Sequence, residues 1–374
     1  MRTVGTALVG CGKVGQTHAQ AYKSLEETNF VAVCDTVDPA RADAFASKYE
    51  VKAYSDLDAL LQDPEVEMVS IATPHPSHPE VAVAAARAGK HVLMEKPMAV
   101  DLKGCDDAIA AAKKAGIKLG LVSQRRFYEP VQRVKEAIDA GKVGKPILCT
   151  VTVLGWRDHS YYKLDPWHGK WATEGGGVLL SQTSHQLDLF QWFMGPIDEI
   201  YGYWGTLNHP TIEVDDTAIA VMRFKNGALG VITVSNSQNP GLYGNIHVHG
   251  ENGASIGVQT DGSSMFISGV TENVEPPVND IWTVPGEEHL LERWQAEDRE
   301  RASEIDVMAH YHKLHIRDFL HAIIDDREPL VPGLEGRRHV EVAVAIYRSQ
   351  RDRRPVKFPP DAVEGSEKFD GRLA

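Results

Sequence analysis

Residues 10–15 read "GCGKVG", directly after the apolar run "VGTALV" at 4–9 and directly before a helix-like stretch. Gly10 suits a tight turn, Gly12 lets the backbone approach a pyrophosphate, and Gly15 lets the next helix pack close to the strand. The first turn of that helix, with Lys13 and Val14, would face the phosphates with free amides and a favourable dipole. A glycine pattern alone is weak, so its surroundings decide. A second apolar run at 31–34 ends in Asp35, about twenty residues on, where a carboxylate accepts hydrogen bonds from the adenosine ribose. A carboxylate there repels a 2′-phosphate, so NAD is expected and NADP is disfavoured. Arg41 could soften that preference.

Outward from this turn, "FVAVCD", "VEMVSIAT", "HVLME" and "IKLGLVS" are strands rich in Val, Ile and Leu without polar alternation, as in strands covered on both faces. Helix-like segments such as "PARADAFASKY", "PEVAVAAARAG" and "DDAIAAAKKAG" separate them. The alternation predicts a doubly wound parallel sheet of the Rossmann kind, an NAD-binding domain over residues 1–123.

Residues 124–374 change character. "PILCTVTVLG", "DDTAIAVMRFKNGALGVITVSNS" and "NIHVHGENGASIGVQT" alternate apolar and polar residues, with hairpin signals at Asn226 and Gly227 and at Asn252 and Gly253. They predict an α/β domain with a large, open, mainly antiparallel sheet. A helix over residues 177–194 interrupts it, and two more near 304–326 and 335–350 close it. The acidic stretch 285–304 reads as a solvent-facing linker.

At 374 residues the chain exceeds one ordinary core, which agrees with two domains. A net charge of −13 without a Lys/Arg-rich run argues against nucleic acid or an anionic membrane as partner. Four cysteines without a CxxC pair argue against a disulfide framework or a zinc ribbon. With no signal-peptide pattern and no spanning stretch, a cytoplasmic location is expected.

In "LMEKP", residues 93–97, a carboxylate and an ammonium leave a buried strand side by side. They either punctuate the surface or hold a reacting group. On the helix over 177–194, Ser181, His185 and Asp188 fall at i, i+4 and i+7 on one face, opposite Leu180, Leu187 and Met194. A His there suits a general base for oxidising an alcohol, because imidazole titrates near neutral pH. A structurally hydrogen-bonded His fits the same pattern.

These stretches, with "IATPHPSHPEVAVAAARAGKHVLMEKP", "SQRRF" and "EGGGVLLSQTSHQLDLFQWFMG", resemble the Gfo/Idh/MocA (glucose–fructose oxidoreductase/inositol dehydrogenase) family over nearly the whole chain and in the family's order. The resemblance implies a Rossmann domain followed by an α/β domain with an open sheet. It implies that Thr73 and Pro74 form a turn beside the nicotinamide half of the cofactor. His75, where Asn is common, and His78 belong to the same cofactor-contacting stretch. It also places Glu95, Lys96, Gln124 and Arg125 near the cofactor, gives Lys96 the substrate hydroxyl, and makes His185 the acid/base. Asp188 or Ser181 would orient that His. Pro97 is often in a cis turn in such proteins. Inositol-type members carry an Asp four residues before the His; this chain has Ser181, followed by Gln182, which suggests a sugar or glycoside instead of free inositol.

The stretch ahead of that helix, "GWRDHSYYKLDPWHGKWATEGGG", holds Arg157, Tyr161, Tyr162 and Trp167. Aromatic faces stack on sugar rings while polar groups bond hydroxyls. An aromatic packing loop is the alternative. His247, His249, His310 and His312 lack companion ligands at metal spacing, so no metal is expected. Asp215 and Asp216 read as turn residues before a strand. Asp325 and Asp326 have no functional reading.

The expectation is therefore an NAD-dependent dehydrogenase acting on a secondary hydroxyl of a sugar, glycoside or polyol. Two alternatives remain: a redox-neutral oxidation–elimination–reduction cycle on a glycoside, or a non-enzymatic NAD-sensing regulator. The resemblance further implies a homodimer or homotetramer formed through the C-terminal sheet.

Overall fold

The computed structural model describes residues 2–242, 244–260 and 276–361. In chain order the first strands and helices are β1 (Val4–Val9), α1 (Lys13–Ser24), β2 (Thr28–Cys34), α2 (Pro39–Tyr49), β3 (Lys52–Tyr54) and α3 (Leu57–Leu61). They continue with β4 (Met68–Ile71), α4 (His78–Arg87), β5 (His91–Met94), α5 (Leu102–Ala115), β6 (Leu119–Leu121) and α6 (Glu129–Asp139). Next come β7 (Pro146–Leu154), α7 (Trp171–Glu174), α8 (Ser184–Met194), β8 (Ile197–Gly205), β9 (Thr217–Phe224) and β10 (Leu229–Ser235). The remainder is β11 (Asn245–Gly250), β12 (Ser255–Gln259), α9 (Leu290–Glu304), α10 (Val307–Ile324), α11 (Gly333–Asp352) and β13 (Val356–Lys357).

The chain forms two units, Met1–Gln124 with Met308–Arg337, and Arg125–Val307 with Arg338–Ala374. This division differs from 1–123 and 124–374 by one residue at the boundary and by a late segment that returns to the first unit. The reason is apolar surface. Ile316, Phe319, Leu320 and Ile323 of α10 are buried with Val4, Tyr22, Met68, Leu93 and Val122. A Cβ at Gly120 would lie 2.7 Å from the Phe319 ring, so a glycine in β6 gives α10 its seat.

In the first unit six parallel strands run in the order β3-β2-β1-β4-β5-β6, a doubly wound arrangement with its strand ends turned to one side. Every residue of β1 is buried, as its unbroken apolar sequence requires.

The second unit holds a seven-stranded sheet, β12-β11-β7-β10-β9-β8-β13. It is mixed, because β7 and β10 pair in parallel while the other neighbours are antiparallel. Gly227 (φ +89°) and Gly253 (φ +85°) make the turns expected from their Asn-Gly pairs. Two readings need correction. The acidic stretch 285–304 is not a bare linker but contains α9, anchored where Asp298 accepts a paired hydrogen bond from Arg133 at 2.7 and 2.9 Å. The helix over 177–194 is two segments: a π-turn at Val178–Gln182 precedes α8. Ten of the eleven residues of α8 are buried, so it has no solvated polar face.

Candidate functional site

The glycine turn of the first unit does what its residues require. Gly10 sits at φ +100°, and a Cβ there would lie 2.6 Å from the Ala72 carbonyl. A Cβ on Gly15 would lie 2.4 Å from the Gly10 carbonyl oxygen, so α1 packs against the turn only with glycine present. At Gly12 a Cβ would meet nothing within 4 Å. That open approach, beside a helix without a side-chain cap, fits a bound pyrophosphate. Lys13 and Val14 are exposed in the first turn of α1.

Asp35 follows β2 and is buried. It accepts hydrogen bonds from the amides of Cys11 (3.1 Å), Val37 (3.1 Å) and Asp38 (2.9 Å). The carboxylate is thus held rigidly next to the glycine turn. Thr73 and Pro74 leave β4, where the Ser77 hydroxyl donates to Thr73 Oγ1 at 2.8 Å. His75 is buried. His78 is completely buried, with its ring nitrogens 2.9 Å from the Pro97 carbonyl oxygen and 2.8 Å from that of Thr73. It therefore ties the Thr73 turn to the Lys96-Pro97 turn, whose peptide bond is cis. Burial pushes its imidazole pKa down, more than the two carbonyls raise it.

Glu95, at the carboxyl end of β5, turns inward. Its Oε2 accepts from the Lys96 amide at 3.2 Å, while Oε1 lies 2.9 Å from His18 Nε2 and 3.6 Å from His312 Nε2. Burial pushes this carboxyl up, but hydrogen bonds and charge from the two histidines outweigh it and hold the group well below the usual carboxylate range. Lys96 is half-buried, and Gln124 and Arg125 are buried. Gln124 Oε1 is buried without a hydrogen-bond partner, one more polar atom that fits a bound ligand.

In the second unit the start of the π-turn is clamped by Asp215. Its Oδ1 accepts from the Gly177 amide (2.7 Å) and the Tyr347 hydroxyl (2.6 Å), and its Oδ2 from the Leu179 amide (3.0 Å). A Cβ on Gly177 would lie 1.8 Å from the Asp215 carbonyl oxygen, which explains the glycines before this helix. Asp215 and Asp216 are thus fully buried clamps and not mere turn residues: Asp216 accepts from the amides of Leu207, Asn208 and His209.

His185 lies in the first turn of α8 and is buried, as is Ser181 in the π-turn. Asp188, one turn on, receives Arg126 Nε at 2.8 Å and Nη2 at 2.5 Å. The Arg126 guanidinium also sits 5.0 Å from the centre of the Trp192 ring. Gln182 donates to the Tyr161 hydroxyl at 3.0 Å, and Asn236 donates to Gln182 Oε1 (3.2 Å) and to the Tyr162 hydroxyl (3.3 Å). Arg157 lies 5.5 Å from the Tyr161 ring centre, and the Trp167 and His168 rings meet tilted at 36° with centres 3.9 Å apart. The aromatic loop and the π-turn are therefore one hydrogen-bonded layer.

His18, Arg126, Glu174 and Asn236 carry no role in the sequence reading, and His312 enters it only among histidines without companion metal ligands. Arg126 in "QRRF", Glu174 before "GGG" and Asn236 in "VITVSNS" nonetheless lie inside stretches already singled out. His247 pairs with Asp280 at 2.6 Å and His249 with the Ser255 hydroxyl at 2.8 Å. Among the described residues no group of three or more His, Cys, Asp or Glu is placed to hold a metal ion.

Residues 4–122 match the oxidoreductase family with an NAD-binding Rossmann fold, and residues 131–256 match the Gfo/Idh/MocA C-terminal domain. The chain belongs to the Gfo/Idh/MocA family. Its fold is similar to that of the WlbA dehydrogenase of Bordetella pertussis, solved with NADH and UDP-GlcNAcA: TM-score 0.84, 31% identity, 96% of this chain and 99% of the other. It is 28% identical to myo-inositol 2-dehydrogenase of Thermotoga maritima, covering 94% of this chain and 97% of the relative. It is also 27% identical to 2,7-anhydro-N-acetylneuraminate hydratase of Mediterraneibacter gnavus, covering 98% and 100%. Like other Gfo/Idh/MocA proteins, this one is an NAD-dependent oxidoreductase of the sugar and polyol dehydrogenase kind. No helix among the described residues is long and apolar enough to cross a membrane.

Proposed function

We propose that this enzyme oxidises a secondary hydroxyl of a sugar or glycoside, with Lys96 holding the hydroxyl and His185 taking its proton. The observation that carries the reading is the position of Lys96. In one parallel sheet, β5 lies two strands from β1, and Lys96 leaves it at the same carboxyl end as the glycine turn. Bound NAD supplies a nicotinamide ring that accepts the hydride. The Lys96 ammonium donates to the reacting oxygen and favours its alkoxide character. His185 removes the hydroxyl proton, as an imidazole does near neutral pH, and returns it in the reverse direction. Gly10, Gly12, Gly15 and Asp35 hold the cofactor. Tyr161, Tyr162, Arg157 and Trp167 line the sugar, and Ser181 and Gln182 face it.

The test is a screen of sugars, glycosides and nucleotide sugars, UDP-GlcNAcA among them, for NAD reduction by wild type, Lys96→Ala and His185→Ala. Either variant retaining wild-type turnover overturns the assignment. The similarity to a hydratase favours keeping a second reading, in which oxidation is transient and NAD is regenerated. Product release without net NADH would establish it. The four cysteines are buried and free, which supports a reducing, cytoplasmic setting. The exposed apolar face of the second sheet supports a homo-oligomer.

A further inference from the structure

Ser181 stands where inositol-type sequences carry a carboxylate four residues before the His. The structure returns a carboxylate to this place from a different element. Glu174, the last residue of α7, is buried. Its Oε1 accepts the hydroxyl proton of Ser181 at 2.7 Å, and its Oε2 accepts the Gly169 amide at 2.6 Å. His168 Nδ1 lies 3.5 Å from the same Oε1.

A serine hydroxyl has one proton and two lone pairs. A carboxylate accepts and does not donate, so the direction of the Ser181–Glu174 bond is fixed. We infer that Glu174 is a positioning residue that commits the single proton of Ser181, so that Ser181 meets the substrate only as an acceptor of a hydroxyl or amide proton. The inference rests on the sugar-oxidising reading above and deepens it. A carboxylate at position 181 would offer two charged acceptor atoms to a polyol. Here one neutral acceptor is presented and the charge is kept a residue away, which selects a single donor on the substrate.

The neighbouring groups have the opposite polarity. Asn236 donates to Gln182 Oε1, so the Gln182 amide nitrogen is the end that donates to the Tyr161 oxygen. With its oxygen occupied as an acceptor, Tyr161 turns its own proton elsewhere. Burial, and then the charge of Glu174, push this hydroxyl up to about 12, so it stays protonated. Tyr162 accepts from Asn236 in the same way. Around the π-turn, one acceptor at Ser181 is thus set among hydroxyl donors at 161 and 162.

Glu174→Gln tests the polarity without changing the shape. Its amide can donate to the Ser181 oxygen, freeing the serine proton to point toward the substrate and inverting the contact. Three variants, Glu174→Gln, Ser181→Ala and the double variant, are compared by kcat/KM on the best alcohol found. They are also compared by calorimetric binding of the same sugar to the enzyme–NADH complex, with melting temperature and NADH affinity as controls. Glu174→Gln is expected to lose roughly tenfold in sugar affinity, the upper scale of one ordinary hydrogen bond. The double variant should be no worse than Ser181→Ala alone, since the carboxylate acts through the serine.

Wild-type sugar affinity in a folded Glu174→Gln, or losses in the two single variants that simply add, would overturn the inference. If wild type binds sugar yet oxidises no alcohol, the dehydrogenase reading fails while the coupling remains readable from binding.

Discussion

Glu95 Oε1 lies 2.9 Å from His18 Nε2, both side chains buried beneath the turn that carries Lys96. A buried carboxylate is stable as an anion only if its partners offset the lost hydration. Here they do, and the pKa lies well below the ordinary value. A depressed folded-state pKa contributes stability that is present above the unfolded value, about 4.3, and is lost as pH falls through the folded value. Glu95→Gln should therefore cost about 1.5–3 kcal/mol at pH 7. In thermal melts of both proteins from pH 7 to pH 3, the gap should shrink as the wild type loses its ionised group. A gap that stays constant over that range would disprove the ionised assignment.

The three glycines of the turn make separable demands. Gly12 faces open space while Gly15 is pressed against the Gly10 carbonyl. Gly12→Ala should fold with a near wild-type melting temperature but weaken NAD binding by roughly tenfold or more, because its methyl group occupies the pyrophosphate approach. Gly15→Ala should instead cost about 1–3 kcal/mol in stability through overpacking. Calorimetric NAD titration paired with thermal melting distinguishes the two, and equal behaviour of both variants would count against the assigned roles.

The bidentate pair of Arg126 and Asp188 fixes α8 from the side opposite the Asp215 clamp in sequence. Both partners are buried, so removing one takes this ion pair away from a group held out of water. Asp188→Ala should cost about 3–5 kcal/mol, and Arg126→Ala a similar amount. The double variant should lose less than the sum, giving a coupling energy measurable in urea unfolding. Additive losses would show that the pair does not act as a unit.

Much of this was legible in the sequence because the deciding signals are local. Apolar runs in the first 123 residues, the glycine turn and the Asn-Gly hairpins specify backbone conformation over a few residues. The π-turn was not legible, because nothing in "VLLSQT" excludes an ordinary helix. It is set by Asp215, 36 residues from Leu179 in sequence. The roles of His18 and His312 were hidden for a related reason: neither has a local motif, and they meet at Glu95 only when α1 and α10 pack on the same sheet. The return of α10 to the first unit depends on the space left by Gly120, which a periodicity argument cannot see. Ser181 was recognised as a departure, but the compensating Glu174 lay in an unassigned position before the glycines.

The outer face of the second sheet carries the last prediction. Ala218, Ala220, Met222 and Phe224 of β9 are buried on one face, while Ile219 and Val221 are 51% and 58% exposed on the other. Tyr203 (65%) stands opposite Ile219 on β8, so exposed apolar residues face outward together on two adjacent strands, and Leu229 (52%) is exposed on the neighbouring β10. An exposed apolar patch marks an interaction surface, and a second copy of the same sheet would match it by symmetry. Light scattering at micromolar concentration should give a dimer or tetramer for wild type. Ile219→Lys combined with Val221→Lys should shift the mass to a smaller species while leaving NAD binding within about twofold, since neither residue lies in the unit that holds the cofactor turn. A wild-type monomer, or a charged variant with undiminished mass, would remove this face as the assembly surface.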